Sequence, residues 1–183
     1  DPRDPLLLQV LPLGAELDEL AGYRTDPVGD LAARTGPGLL HKYQGRALLV
    51  TTGSCAVNCR YCFRRHFPYD EENASRAAFG PALEVIRADH SISEVLLSGG
   101  DPLTLNDRRL AALFDALQEI PHLRRIRIHT RLPVVLPERV DAGFLATWSA
   151  VKLQKTVVVH ANHAREIDSS VRVAARALRD AGS

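Results

Sequence analysis

Ala47-Leu48-Leu49-Val50-Thr51-Thr52-Gly53-Ser54-Cys55-Ala56-Val57-Asn58-Cys59-Arg60-Tyr61-Cys62-Phe63-Arg64-Arg65-His66 runs from an apolar stretch that reads as a strand into a loop holding all three cysteines of the chain, spaced C-x3-C-x2-C. Three thiolates fall one ligand short of a structural tetrahedral zinc site, and one short of the four cysteines that usually hold a cubane iron–sulfur cluster. On a [4Fe–4S] cluster they would leave one iron with an open position. A small molecule carrying an amine and a carboxylate could chelate that iron and receive an electron from the cluster.

Other uses of the thiols fit the pattern less well. His66 could complete a Cys3His zinc site, but the spacing lacks the paired C-x2-C knuckles usual there. A disulfide framework is at odds with an odd cysteine count and with an N-terminus that shows no secretory pattern. Buried structural cysteines would not be interleaved with Asn58, Arg60 and Tyr61.

Working outward, a chain of 183 residues, 45% hydrophobic and 25% charged, suits about one globular domain with a real core. A net charge of +1 gives no general field for nucleic acid or an acidic membrane surface. Twenty of the 23 basic residues are arginine, which favours local bidentate grips on carboxylate or phosphate. No apolar run reaches the roughly 20 residues that span a bilayer, so no membrane association is expected and the cytoplasm is the expected location. The chain opens Asp1-Pro2, contains no methionine and stops just after a helix-ending Gly182, so a fragment of a longer protein is expected.

From residue 45 the pattern alternates. Strand-like runs at Arg46–Thr51, Glu94–Leu97, Arg125–His129 and Thr156–His160 are each followed by a helical stretch: Gly80–Asp89, Asn106–Glu119, Pro137–Trp148 and Asp168–Asp180. Pro81 and Pro137 suit first-turn positions, and Asn106 and Asp168 suit N-caps. Alternation of this kind implies a parallel sheet covered by helices, either part of a barrel or an open doubly wound sheet. Residues 1–44, rich in proline and glycine, read as a lead-in of short helices, and 45–183 as the α/β domain.

In both architectures ligands sit beyond the C-terminal strand ends. The cysteine loop, Ser98-Gly99-Gly100-Asp101-Pro102, Thr130-Arg131-Leu132-Pro133 and His160-Ala161-Asn162-His163 all fall there. Gly99 and Gly100 would let backbone approach a ligand closely, with Asp101 placed to fix an ammonium group or a ribose hydroxyl, although the same residues also describe a tight turn. Arg64, two residues beyond Cys62, could hold a carboxylate bidentately. Lys42 and Arg46 precede the first of these strands and equally suit a solvated basic stretch. Lys152 and Lys155, at the opposite ends of the strands, read as solvated.

Taken together, Cys55-x3-Cys59-x2-Cys62-Phe63-Arg64-Arg65, Val95-Leu96-Leu97-Ser98-Gly99-Gly100-Asp101-Pro102-Leu103, Arg127-Ile128-His129-Thr130-Arg131-Leu132-Pro133 and His160-Ala161-Asn162-His163-Ala164-Arg165-Glu166-Ile167 resemble the lysine 2,3-aminomutase family of radical S-adenosylmethionine (SAM) enzymes. The resemblance runs from Asp4 to Asp180. The stretch Cys62-Phe63-Arg64-Arg65-His66-Phe67-Pro68-Tyr69 is most similar to the branch that makes (R)-β-lysine for modification of translation elongation factor P.

What the resemblance implies is a partial (β/α) TIM-type barrel and a 1,2-amino shift on L-α-lysine. The implied cofactors are a [4Fe–4S] cluster on Cys55, Cys59 and Cys62, SAM as radical initiator and pyridoxal 5'-phosphate (PLP) as carrier of the nitrogen. Ser98, Gly99, Gly100 and Asp101 match the motif that grips the methionine end of SAM, and Arg131, His160 and Asn162 fall on the cofactor rim. Arg64 matches the substrate-carboxylate arginine, and Arg46, with Lys42 in place of a family arginine, matches the pair near the PLP phosphate. The PLP-anchoring lysine of the family would lie beyond residue 183. An external electron donor and the elongation factor P modification machinery are the implied partners, and the sequence leaves room for a homo-oligomer. A PLP-independent radical SAM enzyme and a zinc-stabilised binding module are the competing readings.

Overall fold

The computed structural model describes residues 1–18 and 20–183. At its centre lies one six-stranded sheet in sequential order. β1 (Arg34–Gly36), β2 (Leu39–Tyr43) and β3 (Arg46–Thr52) are joined antiparallel; β4 (Glu94–Gly99), β5 (Arg125–Thr130) and β6 (Gln154–Val159) continue from β3 in parallel. β1 and β6 form the two edges of the sheet, which does not close, so the architecture is a partial TIM-type barrel. None of the helices among the described residues is long and apolar enough to cross a membrane.

The four strands expected from the apolar runs are β3 to β6. The lead-in differs from expectation. It contains single-turn 3-10 helices at Leu7–Gln9, Gly14–Leu17 and Leu31–Ala33, but ends in two strands rather than helix. Leu39 and Leu40 pair with Leu49 and Leu48, and both are essentially fully buried. Tyr43 faces Arg46 across a two-residue Gln44-Gly45 turn, with Gly45 at φ 81°. Glycine takes that left-handed conformation without steric cost, so it closes the hairpin. The basic, polar residues 41–46 mask this signal in the sequence.

α1 (Gly80–Ala88), α2 (Asp107–Gln118), α3 (Leu132–Val135), α4 (Ala142–Ser149) and α5 (Ser169–Asp180) fill the connections and the C-terminus. Asn106 and Asp168 are N-caps as expected, accepting from the amides of Arg109 and Val171 at 3.0 and 2.9 Å; such caps contribute about 1 kcal/mol each. The single helix expected over Pro137–Trp148 is instead two pieces, a 3-10 turn at Pro137–Arg139 and then α4. Asp141 makes the break. Its backbone is extended, at ψ 176°, and its carboxylate caps α4 through the Phe144 amide at 2.8 Å. Lys155 also departs from expectation: its Nζ donates to the carbonyls of Trp148 and Ser149 at the end of α4, at 2.8 and 3.2 Å. An ammonium at a helix C-terminus satisfies free carbonyls and the helix dipole together.

Strand parity separates the two faces of the sheet. Ala47 and Leu49, Val95 and Leu97, Ile126 and Ile128 point to the helices and join Ile86, Leu110, Phe114, Phe144 and Trp148 in one core. The alternate residues Leu48, Ser98, His129 and Val158 line an open cavity on the other face. Helices therefore cover one side only, which selects the barrel over the doubly wound sheet. At the lower end of the concave side, buried Glu94 receives Arg127 at 2.6 Å and Arg46 at 3.3 Å.

Candidate active site

A cavity of about 450 Å³ opens at the C-terminal ends of β3 to β6, within the size range of small-molecule sites. It is lined by Cys55, Cys59 and Cys62, by Arg64, by Ser98, Gly99, Gly100 and Asp101, and by Arg131 and His160. Val57, Leu132, Val135 and Val158 supply apolar wall. Ten of the thirteen residues expected at the site are thus brought together, from four separate loops. Asn162 stands just outside the cavity, where its amide group donates to the Tyr61 hydroxyl. Lys42 and Arg46 line a separate, smaller pocket of about 60 Å³ between β2 and β3.

The cysteine loop is held against β4 by backbone. The amide of Gly100 donates to the Thr52 carbonyl and that of Asp101 to the Ser54 carbonyl, both at 2.7 Å. A Cβ on Gly100 would stand 2.3 Å from the Ser54 oxygen, and one on Gly99 would stand 2.6 Å from the Thr52 oxygen. The Gly-Gly pair therefore admits the chain segment that leads into the cysteines. Close approach is its use, as the sequence implies, but the approaching backbone is the protein's own. Tyr69 completes the seat, donating its hydroxyl to the Gly99 carbonyl at 2.8 Å.

Asp101 is buried, and both of its carboxylate oxygens are engaged. Oδ1 accepts from the Thr130 hydroxyl at 2.7 Å and from the Leu103 amide at 3.0 Å, while Oδ2 accepts from the amides of Arg131 and Leu132 at 2.7 and 3.1 Å. In this arrangement it staples the end of β4 to the end of β5. An ammonium ligand would have to share oxygens that already serve four protein donors.

Arg64 is 8% exposed, with its Nε on Asp30 at 2.7 Å and one terminal nitrogen on the Ser98 hydroxyl at 3.1 Å. Its other terminal nitrogen has no hydrogen-bond partner among the described residues, on a side chain that lines the cavity. The second oxygen of Asp30 receives Lys42 at 2.5 Å. Lys42 is thus coupled to the site through Asp30, whereas Arg46 pairs with Glu94 at the opposite end of β3. Sequence reading missed Asp30, because nothing local distinguishes it from the surface acids around it.

Gln9 and Glu166 were also missed as site residues. Gln9, buried at the end of the first 3-10 turn, accepts from Arg131 and from Asn162, and its backbone carbonyl takes the Arg60 amide at 2.8 Å. Glu166 receives Arg131 at 2.6 Å and the amides of Asn162 and His163 at 2.6 and 2.9 Å. Burial works against its charge, but those amides and the guanidinium offset it and hold the carboxyl below its ordinary value. His160 stands edge-on to Tyr61, with ring centroids 6.0 Å apart.

The thiols are free and fit a cluster better than a single ion. Among the described residues no three His, Cys, Asp or Glu side chains converge on one ion, whereas a cubane takes each thiolate on a different iron. His66 faces a different small pocket beside Asp26 and Phe67, so it does not complete a zinc site with the cysteines. Cys55 presents surface to the cavity, yet desolvation by its walls pushes its thiol up to about 11, with Asp101 and the other two thiols adding to the shift. Metal coordination must displace that proton, as it does for thiolate ligands generally. His129, whose Nε2 is buried without a partner among the described residues, is held below its ordinary pKa by burial and then by Arg127 and Arg64.

A family model for the radical SAM superfamily matches residues 49–145, just over half of the chain, from the middle of β3 into α4. The chain belongs to the radical SAM superfamily. Among these enzymes it is 49% identical over 168 residues to an L-lysine 2,3-aminomutase of Haemophilus influenzae, covering 92% of this chain and 50% of the relative. It is 46% identical over 182 residues to the Escherichia coli protein of the same name, with 100% and 53% covered. To the L-lysine 2,3-aminomutase of Acetoanaerobium sticklandii it is 37% identical over 186 residues, with 100% and 44% covered. These similarities place the radical SAM chain in the lysine 2,3-aminomutase family. The chain spans about half the length of the curated relatives it matches.

Proposed function

We propose that the protein is a radical SAM isomerase that converts L-α-lysine to (R)-β-lysine by a 1,2-amino shift, with Cys55, Cys59 and Cys62 as cluster ligands. The observation that carries the proposal is that three free thiols from one loop share a single cavity with Arg64 and with the rims of β4, β5 and β6. When bound, the cluster and SAM would supply a hydrogen-abstracting radical and PLP an electronic carrier for the migrating nitrogen.

The chain's own residues prepare that chemistry. Arg64 is aimed by Asp30 and Ser98, and its remaining donors suit a substrate carboxylate. Ser98, Gly99, Gly100 and Asp101 fix the rim on which the methionine end of SAM would lie, with Arg131, His160 and Asn162 beside it. Lys42 and Arg46 line the smaller pocket, where they would hold the PLP phosphate in competition with their present partners Asp30 and Glu94. The apolar wall of Val57, Leu132, Val135 and Val158 gives the cavity a surface of low polarity beside the cysteines.

Service to elongation factor P in the cytoplasm, where thiols stay reduced, is the physiological reading. It is supported by the stretch Cys62-Phe63-Arg64-Arg65-His66-Phe67-Pro68-Tyr69, which is most similar to that branch. An external one-electron donor is part of the proposal, and a homo-oligomer is compatible with it.

The test is incubation of the intact, anaerobically reconstituted protein with SAM, PLP, reductant and L-lysine, reading β-lysine by chiral chromatography. (R)-β-Lysine formed only with all four supports the reading. SAM cleavage without β-lysine, and without lysine-dependent change in a PLP absorbance band, would leave a PLP-independent radical enzyme instead.

A further inference from the structure

We propose that Arg131 is a positioning residue that, through its hydrogen bond to the Cys59 sulfur, sets how readily the cluster accepts its electron. The proposal rests on the reading of Cys55, Cys59 and Cys62 as cluster ligands. Arg131 follows the last residue of β5. One terminal nitrogen lies 2.7 Å from Cys59 Sγ and 2.6 Å from the Tyr61 hydroxyl. The other reaches the Glu166 carboxylate at 2.6 Å and the Gln9 side-chain oxygen.

The guanidinium has little freedom to leave. Its side chain is 9% exposed, and its backbone amide is fixed on Asp101 at 2.7 Å. Glu166 is itself held by the two amides of Asn162 and His163. A clamp that only tied loops together would be complete with the Gln9 oxygen and the Glu166 carboxylate. Here the fork also places one of its nitrogens on a sulfur ligand.

That contact has an electronic consequence. Reduction adds one electron from the external donor to the cluster, and no proton moves on Arg131. The added negative charge develops beside a fixed positive charge in a desolvated place, where Coulomb interactions are strong. Hydrogen bonds to cluster sulfurs and local charge are levers on the reduction potential. Arg131 therefore raises the potential, and Glu166, the nearest fixed carboxylate on the same guanidinium, tempers it.

The experiment is an anaerobic redox titration of the reconstituted intact protein without SAM, followed by optical absorbance and by the electron paramagnetic resonance of the reduced cluster. Iron content is measured in parallel. Arg131→Gln is expected to shift the midpoint to more negative potential, Arg131→Lys to shift it less, and Glu166→Gln to shift it to more positive potential. A merely structural clamp predicts altered iron content with unshifted potentials, and that result overturns the proposal. If Arg131→Gln takes up no cluster, Glu166→Gln decides: a positive shift supports the proposal and an unchanged midpoint overturns it. Wild-type protein that binds no iron overturns the ligand reading itself, and the proposal with it.

Discussion

Cys59→Ala is expected to leave a folded, colourless protein that no longer cleaves SAM. Cys59 is only partly buried and lies outside the helix-covered core, so the substitution removes no packing on which the sheet depends. What it removes is one of three ligands. Two thiolates cannot hold a cubane that three hold already one short, and Cys55 and Cys62, on the same short loop, supply no replacement. Production of 5'-deoxyadenosine should fall to the level of a blank, while far-UV circular dichroism and the melting temperature of the metal-free protein stay close to wild type. Cleavage retained by Cys59→Ala would show that the ligand set is wrong.

Asp30→Ala is expected to have the largest effect of any substitution outside the thiols. Asp30 is 4% exposed and pairs at once with Arg64 and Lys42. Removing it leaves a guanidinium that is 8% exposed without its carboxylate. Breaking a buried pair from one side costs about 3–5 kcal/mol, a large part of the stability of an ordinary domain. Equilibrium urea unfolding of the metal-free protein measures this directly. Asp30→Asn, which keeps the shape and an acceptor but not the charge, should lose less. Both variants should also weaken any lysine dependence, because Arg64 would no longer be held in place. A loss below about 1 kcal/mol in Asp30→Ala would mean that the pair is effectively solvated.

The contrast between these two residues shows what a sequence makes legible. The cysteines announce themselves by spacing alone, and β3 to β6 by runs of apolar residues that local geometry requires. Asn106 and Asp168 were readable as caps because a cap bonds to an amide only three residues away. Asp30, Gln9 and Glu166 acquire their roles from partners far along the chain: Gln9 meets Arg131 at a separation of 122 residues, and Asp30 meets Arg64 at 34. No local pattern marks such residues, because the contact exists only once the sheet has formed.

The same logic applies to other details. The sequence marks Gly99 and Gly100 as a place of close approach, and the folded chain shows the Thr52–Ser54 backbone passing there. Lys155 resembled a solvated lysine until α4 ended beside it. The β2–β3 hairpin is hidden because His41, Lys42 and Arg46 cluster at its closed end, and its Gly45 turn is one glycine among twelve.

Iron and acid-labile sulfide analysis of the intact protein after anaerobic reconstitution, paired with a 5'-deoxyadenosine assay under a strong reductant, tests the central claim most directly. Three thiolates on one rim predict about four irons and four sulfides per chain, a brown protein and SAM-dependent release of 5'-deoxyadenosine. One tightly held zinc per chain with no 5'-deoxyadenosine would contradict it.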